Sequence, residues 1–403
     1  MVKGKDIKFD IILAVTVLFL LVFGLIMITS IGVPKSISLS SNGALYPSCS
    51  DQGVDCYLLF KKHLVRLVAG LLIFYFAFKV PIKFFSKISK PLFFLTVLML
   101  FFVLVLGDSY GTIAKNWINI FNTSLQPSEF AKLSVALYLA YWFSKRGVLV
   151  KSLYDGFIPF VVISLFVIAP VMLQNDYGSV LVIGVICVSI YYVAGARFKH
   201  IMLGFLIAFL GAFIIILTIP HVKERFVSYS SIDTECLEDK CWQSQQANIA
   251  IGSGGAFGRG LTQGVTKSSW LPQATDDFIF AASAEELGFL RIIFLVFAYF
   301  MISYRGFLIA SNASNQFEKY LATGITTWLT LQAYINIAVN TSLMPVTGIT
   351  LPFVSYGGSS LVASLIGVGI LLNISKNSSY ARSTNRRGDR RTRNAQRGRY
   401  RRA

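Results

Sequence analysis

From Ile11 to Ile31 the chain carries no charged side chain, and nothing constrains it more than this kind of run. About 20 apolar residues at 1.5 Å per residue cross the hydrocarbon of a bilayer as a helix. Similar stretches recur, giving ten expected spans near residues 9–32, 63–80, 91–107, 127–144, 156–174, 179–195, 199–219, 277–303, 319–340 and 358–375. The runs are continuously apolar rather than alternating, so the expected fold is all-α, a polytopic bundle of about ten transmembrane helices, and not a barrel. Phe9–Ile31 is too long for the apolar core of a signal peptide and lacks a small-residue cleavage site, so it reads as the first span.

Charge orients the bundle. Lys83, Lys87 and Lys90, then Lys145, Arg146 and Lys151, then Arg197 and Lys199, then Arg305 follow the even-numbered spans. Lys3, Lys5 and Lys8 precede the first. Basic loops stay in the cytoplasm, so both termini are expected there. From Arg382 to Arg402 there are ten arginines and one aspartate, a net +9 out of the chain's +18. A tail of Arg, Gly, Ser and Asn cannot pack a core. Residues 377–403 are therefore expected to be disordered and to lie on anionic headgroups rather than to bind nucleic acid, with 1–376 as the membrane domain.

The opposite face then holds the longer loops 33–62, 108–126, 220–276 and 341–357. Cys49, Cys56, Cys236 and Cys241 fall in the first and third, where disulfides Cys49–Cys56 and Cys236–Cys241 are plausible and free thiols remain an alternative. Cys187 lies within a span. His63, His200 and His221 are scattered, and no metal-ligand spacing occurs.

Chemistry concentrates between Gln243 and Gly288. The run Gly252-Ser253-Gly254-Gly255-Ala256-Phe257-Gly258-Arg259-Gly260 fits neither GxGxxG nor GxxxxGK[ST]. It reads either as a flexible re-entrant loop or as a backbone concavity for an anion, with Arg259 and Lys267 adding charge. Asp276 and Asp277 open the eighth span, which continues to Glu285, Glu286 and Arg291. Adjacent glutamates lie about 100° apart on a helix. One is expected to face the bundle beside Arg291, the other a polar boundary. Asp277 suits a general base at the membrane surface, and helix capping is the plainer role for either aspartate. Glu129 and Lys132 share a face of the fourth span as an ion pair or as cavity-lining groups. Asp176 lies in a polar turn. Residues 344–360 are uncharged and rich in Pro and Gly, as in a loop dipping into the bundle.

Five motifs in order resemble the SEDS family (shape, elongation, division and sporulation). They are Trp117-Ile118 with Leu125-Gln126-Pro127-Ser128-Glu129 and Lys132; Leu173 to Gly178; Gln243 to Gly260; Leu271-Pro272 with Asp277-Phe278-Ile279-Phe280 and Glu285-Glu286-Leu287-Gly288; and Pro352 to Ser360. The resemblance covers residues 10–375. It implies a ten-helix glycosyltransferase that polymerises lipid II into glycan strands beside a class B penicillin-binding transpeptidase and other divisome membrane proteins. The family's essential aspartate, in Pro-Glu-x-His-Thr-Asp-Phe, falls on Asp277. This chain departs from that motif at Gln273, Thr275 and Asp276. Asn116 stands where the family usually has Arg, so Arg259, Lys267 or Lys132 would have to supply the charge. Thr350 is more like the FtsW branch than the RodA branch.

The expected mechanism is cation-assisted inversion at the anomeric carbon, with Asp277 as base and Mg²⁺ or Mn²⁺ as a possible divalent cation. Lys132, Glu129, Gln243, Gln246, Gly254, Gly255, Arg259, Lys267, Ser355 and Ser359 are the expected contacts to lipid II or the growing strand. A lipid II flippase, an elongation-type polymerase and a non-catalytic scaffold are the rivals. A transporter would place its key charges near the midplane.

Overall fold

A computed structural model describes residues 9–41, 47–108, 115–120, 123–219, 242–268 and 270–377 of the chain. The arginine-rich tail and the Cys236–Cys241 pair lie outside the described residues. The first helix, α1 (Ile11–Ile31), starts where the Asp10 carboxylate accepts the N–H of Leu13, and a short α2 (Val33–Ser40) follows with Pro34 in its first turn. Then come α3 (Leu58–Lys79), α4 (Ile82–Leu106), a small hairpin β1 (Ile118–Ile120) and β2 (Thr123–Leu125), α5 (Pro127–Ser144), α6 (Ile158–Leu173), α7 (Tyr177–Val193) and α8 (Phe198–Thr218). The last group is α9 (Trp242–Gly254), α10 (Ile279–Leu287), α11 (Phe289–Ser311), α12 (Gln316–Asn340) and α13 (Gly358–Asn377). The hairpin is antiparallel with Ile118 opposite Leu125.

Among the described residues, five segments are long and apolar enough by themselves to cross a membrane: α1, α4, Leu153–Leu173, α11 and α13. Among the others, Tyr177–Val193 and Phe198–Ile214 are apolar but shorter, whereas α5 and α12 carry polar groups that the bundle buries. The α12 helix sits against α5, α7 and α11 and is buried on nearly every side, with Thr326, Gln332, Asn336 and Asn340 inside. By contrast α4, α8 and α11 expose Phe94, Phe209 and Phe294. A polytopic helical membrane protein shows this inversion, with apolar side chains facing lipid and polar groups satisfying one another within.

Two expected boundaries are corrected. The lysines Lys83, Lys87 and Lys90 are not in a connection but on the first turns of α4. Lysine is a good helix former with an apolar stem, so the helix extends beyond its apolar stretch. The expected span 277–303 is two helices. Gly288, at φ +79°, ends α10 and begins α11. A Cβ there would meet the backbone of Gly258 at 2.2 Å, so only glycine lets the two segments approach. Between α2 and α3 the Cys49–Cys56 disulfide is formed.

Candidate functional site

The turn Gln273–Phe278 leads into α10 and is held from three directions. From α12, Asn336 and Asn340 donate to the carbonyl of Asp277 at 2.7 and 2.9 Å, and Asn340 Oδ1 accepts the N–H of Ala281 at 3.0 Å. From the loop before α13, the Tyr356 N–H bonds the Thr275 carbonyl at 2.9 Å and Ser355 Oγ bonds that of Asp276 at 2.6 Å. From α2, Lys35 pairs with the Asp276 carboxylate and reaches Gln273 Oε1 at 3.2 Å and Thr275 Oγ1 at 3.5 Å. Gln273 itself sits at φ +53°, a left-handed conformation that a surrounding network must hold in a residue with a Cβ. The Asp277 side chain, half-buried, faces the corner at Gly348: a Cβ there would stand 3.6 Å from Asp277 Oδ2.

Among the described residues, Lys35 and Arg66 on α3 bring positive charge to Asp276 in this turn. The Arg66 guanidinium lies 4.9 Å from the centre of the Tyr356 ring. Burial pushes the Asp276 carboxyl above its ordinary value, while Lys35, Thr275 and Arg66 pull it back down. Burial likewise raises the Tyr356 phenol, with Arg66 opposing and Asp276 adding to the rise.

Several expected contacts have other occupations. Lys267 is buried and paired with Glu286 at 2.6 Å, and it also bonds the Ser30 carbonyl. Glu286 further accepts from Ser30 Oγ at 2.5 Å and the Thr262 N–H at 3.2 Å. Glu285 accepts from the N–H groups of Val265 and Thr266 and from the Thr266 hydroxyl. Both glutamates are therefore buried and clamp the 262–267 segment onto the bundle. Neither pairs with Arg291, whose Nη1 donates to the Phe257 carbonyl.

The glycine run is not a free loop. Its first three residues, Gly252 to Gly254, are the end of α9, and Gly254 and Gly258 press on α10: a Cβ would meet Ala284 O at 2.2 Å and Glu286 O at 2.3 Å. The N–H groups of Arg259 and Gly260 bond the carbonyls of Glu285 and Glu286, so these two donors are not turned toward an anion. Gly255, at φ +53°, has open space around its Cα. The Arg259 side chain is partly exposed, 3.6 Å from Glu285. Gln243 and Gln246 lie in α9, Gln246 buried.

Lys132 is completely buried against Glu129 at 2.7 Å and Gln332 Oε1 at 2.9 Å. Gln332 passes this network on to Thr350 O at 3.1 Å and Ser360 Oγ at 3.3 Å. Ser359 Oγ accepts the Gln126 N–H. Asp176 caps α7 and takes bonds from Asn116, Gln126 and Ser128, so a neutral amide serves that carboxylate where the family usually has arginine. Sequence reasoning missed Lys35, Arg66, Tyr356, Gln332, Asn336 and Asn340. The signal for the asparagines was their spacing of four in an apolar span, which puts two amides on one helix face.

Among the described residues no group of three His, Cys, Asp or Glu side chains could hold a metal ion, and Asp276 is already engaged by Lys35. The expected divalent cation has no ready-made donor set among these residues.

The architecture is thus that of a polytopic helical membrane protein carrying an acid on a rigid turn at the end of a broken helix. The family profile described as "Cell cycle protein" (FtsW, RodA, SpoVE) matches residues 11–380, so the chain belongs to that family, the SEDS family. Stage V sporulation protein E of Bacillus subtilis is 35% identical over 92% of this chain and 98% of its own length. The probable peptidoglycan glycosyltransferase FtsW of the same organism is 32% identical over 93% and 92%. The crystal structure of the rod shape determining protein RodA from Thermus thermophilus superposes with TM-score 0.65 at 25% identity, covering 92% of this chain and 98% of that one. A chain from a peptidoglycan synthase complex, described for its coordination of polymerization and crosslinking, gives TM-score 0.73 at 24% identity over the same shares.

Proposed function

We propose that this chain is a peptidoglycan glycosyltransferase of the division type, joining lipid II units into glycan strands at the outer face of the cytoplasmic membrane. The observation that carries the site is Asp277, an acid whose backbone is fixed by two amides of α12 while its side chain remains half-buried beside Gly348. The relatives named peptidoglycan glycosyltransferase, similar over nine-tenths of the chain, support the reaction class.

In the reaction the Asp277 carboxylate takes the proton of the acceptor sugar's hydroxyl. That oxygen bonds to the donor's anomeric carbon, and the bond from that carbon to the undecaprenyl diphosphate oxygen breaks. The diphosphate leaves with the electron pair, and the anomeric centre inverts. A pre-placed base avoids reorganisation at the moment of transfer. Arg66, half-exposed over Tyr356, is a cation near this turn to meet the growing charge on the leaving group. The lipid-facing helices suit a polyprenyl substrate. The basic flanks support an orientation with the termini in the cytoplasm and Asp277 outside. A crosslinking transpeptidase is the natural partner, because uncrosslinked strands are an incomplete product.

The test is glycan-chain formation from lipid II in liposomes with the partner transpeptidase. Polymer from the parent and from Asp155→Asn, a distant carboxylate bonded to Ser152, with none from folded Asp277→Asn, is the expected result. Polymer undiminished in Asp277→Asn would overturn the assignment.

A further inference from the structure

We infer that the connections from α5 to α6 and from α7 to α8 form one binding surface for an anionic phospholipid. Lys151, Arg197 and Lys199 would meet its headgroup phosphate, and Val148, Tyr154 and Phe198 the edge of its acyl chains. Three observations carry this.

First, the two connections are joined. After α5 the chain makes a 3-10 turn (Gly147–Lys151) and a π turn (Leu153–Phe157) before entering α6. Val150 is buried, and its carbonyl accepts the Tyr191 hydroxyl of α7 at 3.4 Å. The same hydroxyl lies 3.3 Å from Nδ1 of His200, in the first turn of α8. The His200 ring also packs 5.5 Å from that of Phe157. Gly156 lets the two turns close on each other, since a Cβ there would stand 2.3 Å from the Val150 carbonyl oxygen. Lys151 follows Val150 and Lys199 precedes His200, so the two lysines spring from loops that meet at one hydroxyl. Arg197 belongs to the same turn, its carbonyl accepting the His200 N–H at 3.0 Å.

Second, the charge is exposed and largely of one sign. Lys145, Arg146, Lys151, Arg197 and Lys199 stand in these connections against the single acid Asp155. Arg146 is turned back onto the bundle, 4.6 Å from the centre of the Trp142 ring, and donates to the Asp155 carbonyl. The Asp155 carboxylate accepts from the Ser152 hydroxyl at 3.2 Å. Lys151, Arg197 and Lys199 are exposed, and among the described residues none of the three is in an ion pair.

Third, large apolar side chains are exposed between these cations. Val148 is 83% exposed, Tyr154 76% and Phe198 68%. A patch of this kind is unfavourable against water. It continues into the exposed Val162 and Phe166 of α6 and Phe205 and Phe209 of α8, which face the acyl chains of a bilayer. A phospholipid carries both halves of this pattern in the same order, apolar along the helices and anionic at their ends. A soluble acidic partner would match the charge but not its continuation into lipid-facing helices.

The experiment is native mass spectrometry of the full chain in detergent, titrated with phosphatidylglycerol. Phosphatidylcholine of the same acyl chains is the zwitterionic reference. The parent is expected to bind phosphatidylglycerol in preference. Lys151→Gln with Lys199→Gln should raise the Kd for phosphatidylglycerol about thirtyfold, at about fivefold per charge removed, and leave phosphatidylcholine unchanged. Lys151→Arg with Lys199→Arg keeps the charge and should bind as the parent does.

Lys83→Gln with Lys87→Gln removes the same charge from exposed positions of α4 at the same end of the bundle, where Lys90 lies 5.5 Å from the Tyr141 ring. That pair is expected to change the Kd less than about twofold, because exposed charges away from the site are screened. An equal loss in both glutamine pairs would mean that diffuse charge holds the lipid. An unmoved Kd in Lys151→Gln with Lys199→Gln would remove these lysines from any lipid contact. Either result overturns the inference. Lipid binding is read without turnover, so the outcome does not depend on the activity proposed for Asp277.

Discussion

Asn340 holds the carbonyl oxygen of Asp277 at 2.9 Å and accepts the Ala281 N–H on the other atom of its amide, so one side chain spans the start of α10. A helix start leaves its first N–H groups without partners, and α10 has no side-chain cap from its own N-cap residue. Asn340→Leu is expected to cost about 1–3 kcal/mol by leaving buried backbone groups unpaired. It should also lower kcat at least tenfold with Asp277 intact. Thermal unfolding together with polymer synthesis checks both; full activity in a folded Asn340→Leu protein would show that the carbonyl needs no holding.

Lys267 separates a structural from a substrate role. It is buried against a fully buried Glu286, so Lys267→Met strands a carboxylate and is expected to destabilise the protein by about 3–5 kcal/mol. Replacing both, with Lys267→Met and Glu286→Gln, should recover most of that loss. A diphosphate-binding lysine would instead give a stable Lys267→Met protein with a raised KM.

The glycines of the 252–260 run should differ sharply. Gly254→Ala places a methyl 2.2 Å from Ala284 O and cannot be accommodated without moving α9 off α10, so loss of folded protein is expected. Gly255→Ala meets nothing within 4 Å and pays only for its φ of +53°, roughly 1 kcal/mol. Detergent-solubilised yield and melting temperature distinguish the two.

Asp276 gives a pH dependence of defined sign. Its carboxyl is raised above the ordinary 3.8, chiefly by burial. Such a group stabilises the fold when protonated. That contribution is complete below the ordinary carboxylate value and is lost as pH rises through the raised one. At neutral pH Asp276→Asn should therefore melt above the parent, and the gain should vanish on acidification. A melting temperature that falls at neutral pH would mean that Lys35 outweighs burial.

Much of the fold was legible because lipid demands long apolar runs, and helices in the structure match the expected positions of nine spans. The eighth, expected over 277–303, is instead split at Gly288. Hydropathy is blind to a backbone break when the residues on both sides are apolar, as Phe289 and Leu290 are. The position of Asp277 was readable from a motif, but its surroundings were not. Lys35 lies more than 200 residues upstream of the turn it touches, on the short helix α2 within a segment that reads in sequence as loop 33–62, and nothing local in the sequence pairs it with Asp276. The reverse error occurred at Lys267 and Lys132. A cation near a motif looks available until the structure shows the buried acid that already claims it.

The Asp277 turn also has an order of manufacture. A chain emerges from the ribosome N-terminus first, so Asp277 is made before Asn336, Asn340, Ser355 and Tyr356, the residues whose hydrogen bonds fix this turn. A nascent protein interrupted before Tyr356 can have inserted most of its helices and already contain its acid, yet lack the frame that aims it. The cell is thereby spared a half-made polymerase, because competence arrives only with the last loop.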